Sequence, residues 1–178
     1  MTALYKQIQD NLRTVIKDSI SKSFPTSKVI FGFENGTEPT GTYCVISVLD
    51  YIKTGLAETS TRANPVDDHY EVWTNIPYEI LVQIDFVGKD AGAMSLECHT
   101  RLSSSYSNKE LSMSLNVGLL NMSSIRRRPQ KRDTTYVDIR TFDARFNAVL
   151  SYTEEIGIIT RVDIQEPFNN TIINVPPL

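Results

Sequence analysis

The sequence predicts an α+β fold, with helices packed on a sheet, and three observations predict it. The N-terminal segment carries helical periodicity, later segments alternate apolar and polar residues, and a second helical stripe begins where one alternation stops. The chain has 178 residues, the length of one domain. A chain of that length buries about 70% of the surface its unfolded form exposes, so it needs no disulfide or metal staple.

Leu4, Ile8, Leu12, Val15, Ile16 and Ile20 fall on one stripe, with charges mostly opposite. They predict a long helix over Ala3–Ser23, stopped by Phe24-Pro25 because the residue before proline avoids the helical region. Val29–Phe33 is a short apolar strand closed by the turn signal Glu34-Asn35-Gly36. Tyr43–Leu49 is apolar on both alternating faces apart from Ser47, which predicts a strand covered on both sides. Glu58–Asp68, rich in Ser, Thr, Asn and paired Asp, reads as a mobile loop. His69–Trp73 then reads as a strand and Thr74–Pro77 as a turn. Tyr78–Val87 is the clearest strand: Tyr78, Ile80, Val82, Ile84 and Phe86 share one face, and Glu79, Gln83 and Asp85 share the other with Leu81.

At Gly88-Lys89-Asp90 the period changes. Asp90 is the expected N-cap, and Ala91, Met94, Cys98 and Leu102 trace a helical stripe. A shorter helix is expected over Asn108–Leu115, and strands near Leu119–Arg128 and Thr135–Thr141. Phe142 to Tyr152 alternates, Glu154-Glu155 and Gly157 supply a turn, and Ile158, Thr160, Val162 and Ile164 alternate again, which predicts an antiparallel hairpin. After Gln165, Pro167, Asn169, Asn170, Pro176 and Pro177 oppose regular structure, while Phe168, Ile172, Ile173 and Val175 stay apolar. The expected organisation is one α+β domain over 1–164 and an extended tail over 165–178, with no internal repeat or linker.

With 40% hydrophobic and 22% charged residues, the composition is globular, and the net charge of −3 gives no global attraction to nucleic acid. Cys44 and Cys98 read as small buried hydrophobes. The sequence has no CxxC and no Cys/His cluster, so neither a structural zinc nor a cofactor is expected. Lys6, Asp10, Arg13, Lys17 and Asp18 make the N-terminus an amphipathic helix rather than a signal peptide. No run of about 18 apolar residues occurs, so no membrane span is expected.

His69 and His99 are the two histidines. Cys98 and His99 are adjacent on a helix, where neighbouring side chains point about 100° apart, so they do not form a nucleophile pair. GxSxG, Walker, GxGxxG and HExxH patterns are absent. Asp67-Asp68 and Glu154-Glu155 read as solvated carboxylates in turns. No catalytic residue is assigned. The one charge cluster is Arg126, Arg127, Arg128, Lys131 and Arg132, five cations in seven residues. It suits phosphate contact, a solvated hairpin tip, or an acidic surface on a neighbouring subunit. No aromatic is interleaved for base stacking.

A strand from Tyr78 to Phe86 ends in Gly88-Lys89-Asp90-Ala91 and opens a helix. Downstream, Asp143–Tyr152 leads into Thr153–Ile164. With the N-terminal helix and the Gly41-Thr42-Tyr43 lead-in to a core strand, this pattern resembles the neck or tail terminator (tail-completion) proteins of tailed bacteriophages over residues 4–164. The resemblance implies helices on a mostly antiparallel, twisted sheet, and copies assembling as a hexameric ring. It implies a virion protein, assembled in the host cytoplasm, that caps the tail tube and joins it to the head connector. DNA would pass through the ring without specific binding, and the family has no catalytic residues to carry over. The basic segment and the tail have no counterpart in the pattern. The mobile loop, the basic segment and the apolar tail supply the expected interface residues: Arg126, Arg127, Arg128, Lys131, Arg132, Asp67, Asp68, Phe168, Ile172 and Ile173. The competing readings are a nucleic-acid-binding adaptor that uses the basic segment, and a small enzyme with an unfamiliar site.

Overall fold

Among the described residues, two helices pack with a large, mostly antiparallel sheet. A computed structural model describes residues 2–32, 37–63, 69–104, 117–128, 130–132, 135–157, 162–165 and 172–175. Helix α1 spans Thr2–Ile20. It buries Ile8, Leu12, Val15, Ile16 and Ile20, the stripe the periodicity predicts; the side chain of Leu4 lies outside those described. The expected helix is matched only in part, because it stops at Ile20 rather than Ser23. Ser21 turns its hydroxyl back onto the Asp18 carbonyl, and the Phe24 amide closes on Ile20 O at 2.9 Å. Lys17 Nζ donates to the carbonyls of Pro25 (3.1 Å) and Ser27 (2.6 Å), which fixes the turn after the helix.

The strands are β1 (Val29–Phe31), β2 (Tyr43–Lys53), β3 (Glu58–Ala63), β4 (His69–Val87), β5 (Val117–Met122), β6 (Arg126–Arg127), β7 (Gln130–Arg132), β8 (Thr135–Val137), β9 (Ile139–Gly157), β10 (Val162–Gln165) and β11 (Ile172–Val175); α2 (Ala91–Leu102) follows β4. A seven-stranded sheet has the order β1-β2-β4-β9-β5, with β3 paired on β4 and β6 on β9. The β1–β2 pair is parallel. β7–β8 and β10–β11 form two further antiparallel pairs outside that sheet.

The chain divides into two compact units: unit 1 is Met1–Leu56 with Ile76–Leu150, and unit 2 is Ala57–Asn75 with Ser151–Leu178. Unit 1 holds the core. Cys44 and Ile46 of β2, Ile80, Val82, Ile84 and Phe86 of β4, and Phe142, Ala144, Phe146 and Ala148 of β9 share one cluster with the stripes of α1 and α2. Period-two alternation therefore puts both helices on one sheet face. Tyr43, Val87 and Ile139 form a smaller cluster with Ile30, Val45 and Val137, so the second face of β2 is covered only in part. Bulges displace Leu49 of β2 and Leu120 of β5, leaving them 53% and 51% exposed.

Gly88 links β4 to α2 with φ +117; a Cβ there would lie 2.9 Å from both Gly41 O and Thr42 Cα, so the turn needs glycine. Asp90 holds the N-cap position, but its carboxylate makes no cap. Its own amide instead donates to Thr42 Oγ1. Cys98, Met94, Ala91 and Leu102 are buried as the stripe predicts.

Four expectations need correction. Glu58–Ala63 is not a loop but β3, paired residue for residue with Tyr70–Asn75; residues 64–68 lie outside the described part. His69–Trp73 and Tyr78–Val87 are one strand, not two joined by a turn at Thr74–Pro77. Pro77 lies between the end of the β2 register at Tyr78 and the start of the β3 register at Asn75, so neither of those ladders draws on the amide that proline lacks. Glu154-Glu155 is likewise within β9 rather than at a turn, and β11, in the segment expected to be irregular, is a strand paired with β10. Cross-strand pairing overrides local turn propensity in each case. The expected helix over Asn108–Leu115 lies outside the described residues.

Candidate assembly interface

The basic segment lies on β6, which pairs with β9, and on β7, which pairs with β8, with Arg128 following β6. Each of its first three arginines meets a carboxylate of unit 1. Arg126 Nη2 donates to Asp143 Oδ2 at 2.6 Å, Arg127 Nε to Asp138 Oδ1 at 2.9 Å, and Arg128 Nη2 stands 3.8 Å from Asp85 Oδ2. Asp138 also accepts from Arg140 Nε at 3.2 Å. The Arg127 hydrogen bond, with that of Arg140, holds the Asp138 carboxyl below its ordinary range. Arg145 Nη1 reaches Glu79 Oε1 at 2.7 Å, tying β9 to β4. The open face of the unit 1 sheet is thus laced with ion pairs, and the side chains of Arg126, Arg127 and Arg128 stay 55–62% exposed. Such exposed pairs contribute little stability, roughly 0–1 kcal/mol each; their effect is to lower the free positive charge of the segment. Lys131 is exposed on β7, and Tyr136 of β8 is 75% exposed. The side chain of Arg132 is not among those described.

Unit 2 has a different character. Its sheet is β3, the Tyr70–Asn75 part of β4 and the end of β9, where Ser151 Oγ donates to Asn75 Oδ1 at 2.6 Å. Among its described residues only Thr74 is buried. Tyr70 and Trp73 are each 42% exposed and Ile156 is 49% exposed. Tyr70 and Trp73 have opposite parity on β4 and so sit on opposite faces. A sheet of three strands needs an apolar face covered to be stable by itself. Sequence reading does not find these residues, because the letters around Trp73 read as a short strand and those of β3 read as a loop. The signal was the Tyr70/Val72 and Trp73 alternation.

Of the remaining expected interface residues, Asp67, Asp68 and Phe168 lie outside the described part. Ile172 and Ile173 lie on β11, opposite Gln165 and Ile164; their side chains are not described.

Cys98, Cys44 and His99 are held in packing roles. Cys98 Sγ lies 3.0 Å from Ser19 Oγ, and burial pushes its thiol up to about 12 despite that contact. Burial also raises Cys44 well above its ordinary value. His99 turns away from Cys98: its Nε2 donates to Ser123 O at 3.1 Å, and its ring meets Phe142 edge-on at 5.2 Å. Among the described residues no group of three His, Cys, Asp or Glu could hold a metal, and no helix is long and apolar enough to cross a membrane.

A family model described as phage neck terminator protein matches residues 2–171. The chain belongs to the phage neck terminator family. This neck terminator chain is accordingly a structural component of the virion neck. No curated protein matches it. Among solved structures, it is similar to a chain of the "Virion of native gene transfer agent (GTA) particle", at 12% identity and a TM-score of 0.29, over 79% of this chain and 95% of that one.

Proposed function

We propose that copies of this chain close into a ring, six subunits in the arrangement the family resemblance implies, that caps the tail tube and joins it to the head connector. DNA passes through the ring without specific binding, and no side chain performs a reaction. The observation that carries this reading is the neck terminator match over residues 2–171. The uncovered sheet of unit 2 supports it, because exposed Tyr70, Trp73 and Ile156 are apolar surface that a neighbour can bury. The internal pairing of Arg126, Arg127 and Arg128 disfavours the nucleic-acid adaptor, since a guanidinium already facing a carboxylate gains less from a phosphate. The basic segment, Asp67-Asp68 and the apolar residues Phe168, Ile172 and Ile173 serve as contacts between subunits or with tube and connector. The segment that carries β11, folded back on β10, offers its surface to a neighbour.

Mass measurement of the purified chain, alone and with tail tubes, tests the reading. A ring in either condition is expected. A chain that stays monomeric and unattached in both overturns it.

A further inference from the structure

We propose that the acidic sheet of unit 2 in one copy docks on the basic segment of unit 1 in a second copy, centred on Lys131 and Tyr136. This inference rests on the reading that copies assemble, and it names which surfaces meet.

Two independent observations carry it. The first is apolar: unit 2 exposes an aromatic on each sheet face and buries only Thr74 among its described residues. The second is charge. Unit 2 holds eight carboxylates and two arginines, a net charge of −6, so unit 1 carries +3 although the whole chain is −3. Glu58, Glu154 and Glu155 are exposed on that sheet.

The densest positive stretch of unit 1 is 126–132, and its internal pairs do not neutralise it. One carboxylate, Asp138, serves both Arg127 and Arg140, and Arg128 reaches Asp85 only at 3.8 Å. Tyr136 on β8 adds an apolar surface beside that charge. Two acidic sheets from different copies repel, because their charges fall within a Debye length of about 8 Å when in contact. The pairing is therefore heterologous, one patch against a different patch. Contacts of that kind build rings when the rotation closes.

Trp73 is the single tryptophan of the chain, and it sits on the proposed docking surface. Its fluorescence reports burial of unit 2 in the unmodified protein. The experiment follows mass and Trp73 emission together, with and without tail tubes, for three variants besides wild type. These are Glu154→Lys/Glu155→Lys, Lys131→Glu/Arg132→Glu, and all four substitutions combined, with far-UV circular dichroism to verify folding.

Emission should move to the blue as the wild type oligomerises. Each double reversal should weaken assembly at least about tenfold, since like charges face each other across the contact. The combined variant should restore assembly, because both signs are exchanged. An oligomer that forms with no blue shift, or that ignores both reversals, overturns the docking and leaves the ring intact. A wild type that never assembles or attaches overturns both. A blue shift on tail tubes with the chain still monomeric gives unit 2 to the tube protein and overturns the second-copy contact.

Discussion

Phe142→Ala and Trp73→Ala remove large aromatic side chains from β9 and β4, and the structure predicts opposite consequences. Phe142 is fully buried in unit 1. It stacks on Phe86 with ring centroids 5.9 Å apart and receives the His99 ring edge-on at 5.2 Å. Truncation loses the transfer free energy of the ring and leaves a cavity between sheet and helices, about 3–5 kcal/mol together. The stacking with Phe86 accounts for about 0.5–1.5 kcal/mol of such a loss. A chain of this length loses roughly 2–4 °C of Tm per kcal/mol, so Phe142→Ala should melt about 6–20 °C below wild type. Trp73 is 42% exposed in a sheet with little packed around it, and its truncation should cost about 1 kcal/mol or less in the isolated subunit. Its loss should appear in assembly instead. Near-UV circular dichroism melts and urea titrations, at concentrations where the chain is monomeric, read the difference. Equal losses of Tm for the two variants would refute the reasoning, because unit 2 would then be packed within its own subunit.

Gly88→Ala should lose about 1–3 kcal/mol, since a positive φ and two backbone atoms at 2.9 Å oppose a methyl group there; an unchanged urea midpoint would contradict that. Neither Cys44 nor Cys98 should react with a thiol reagent at pH 8 in the native state, and both should react in urea, because burial raises both thiols; fast labelling without denaturant would show the core to be open. Asp138 has a folded-state pKa below its ordinary 3.8, so its stabilising effect is complete above about pH 4 and disappears as pH falls through the folded value. The stability difference between wild type and Asp138→Asn should therefore shrink from pH 7 toward pH 3, and a constant difference across that range would show the carboxylate to be uncoupled.

Much of unit 1 was legible because its signals are local and repeated. The α1 stripe, the face of Ile80 to Phe86, the run from Phe142 to Ala148 and the α2 stripe all alternate with the period of the element they form, and one buried cluster takes up all of them. The Gly88 turn was legible because few residues other than glycine adopt its backbone conformation. What failed was punctuation. Thr74–Pro77 and Glu154-Glu155 are residues that favour turns in isolation, yet both lie inside 19-residue strands. The strand Glu58–Ala63 has no apolar alternation at all and exists through its ladder to Tyr70–Asn75.

The interface was legible only in part. Five cations in seven residues are visible in a string of letters. That Asp138, Asp143 and Asp85 meet the arginines is not, because these partners come from β9, β4 and the residue between β8 and β9. The sequence by itself determined the elements of the core, the lack of a motif for chemistry, and membership in a structural family. Only the tertiary structure decided which residues gather into an acidic, uncovered sheet and which arginines are already matched. Periodicity is a property of neighbours along the chain, whereas strand pairing and charge compensation join residues that the chain keeps far apart.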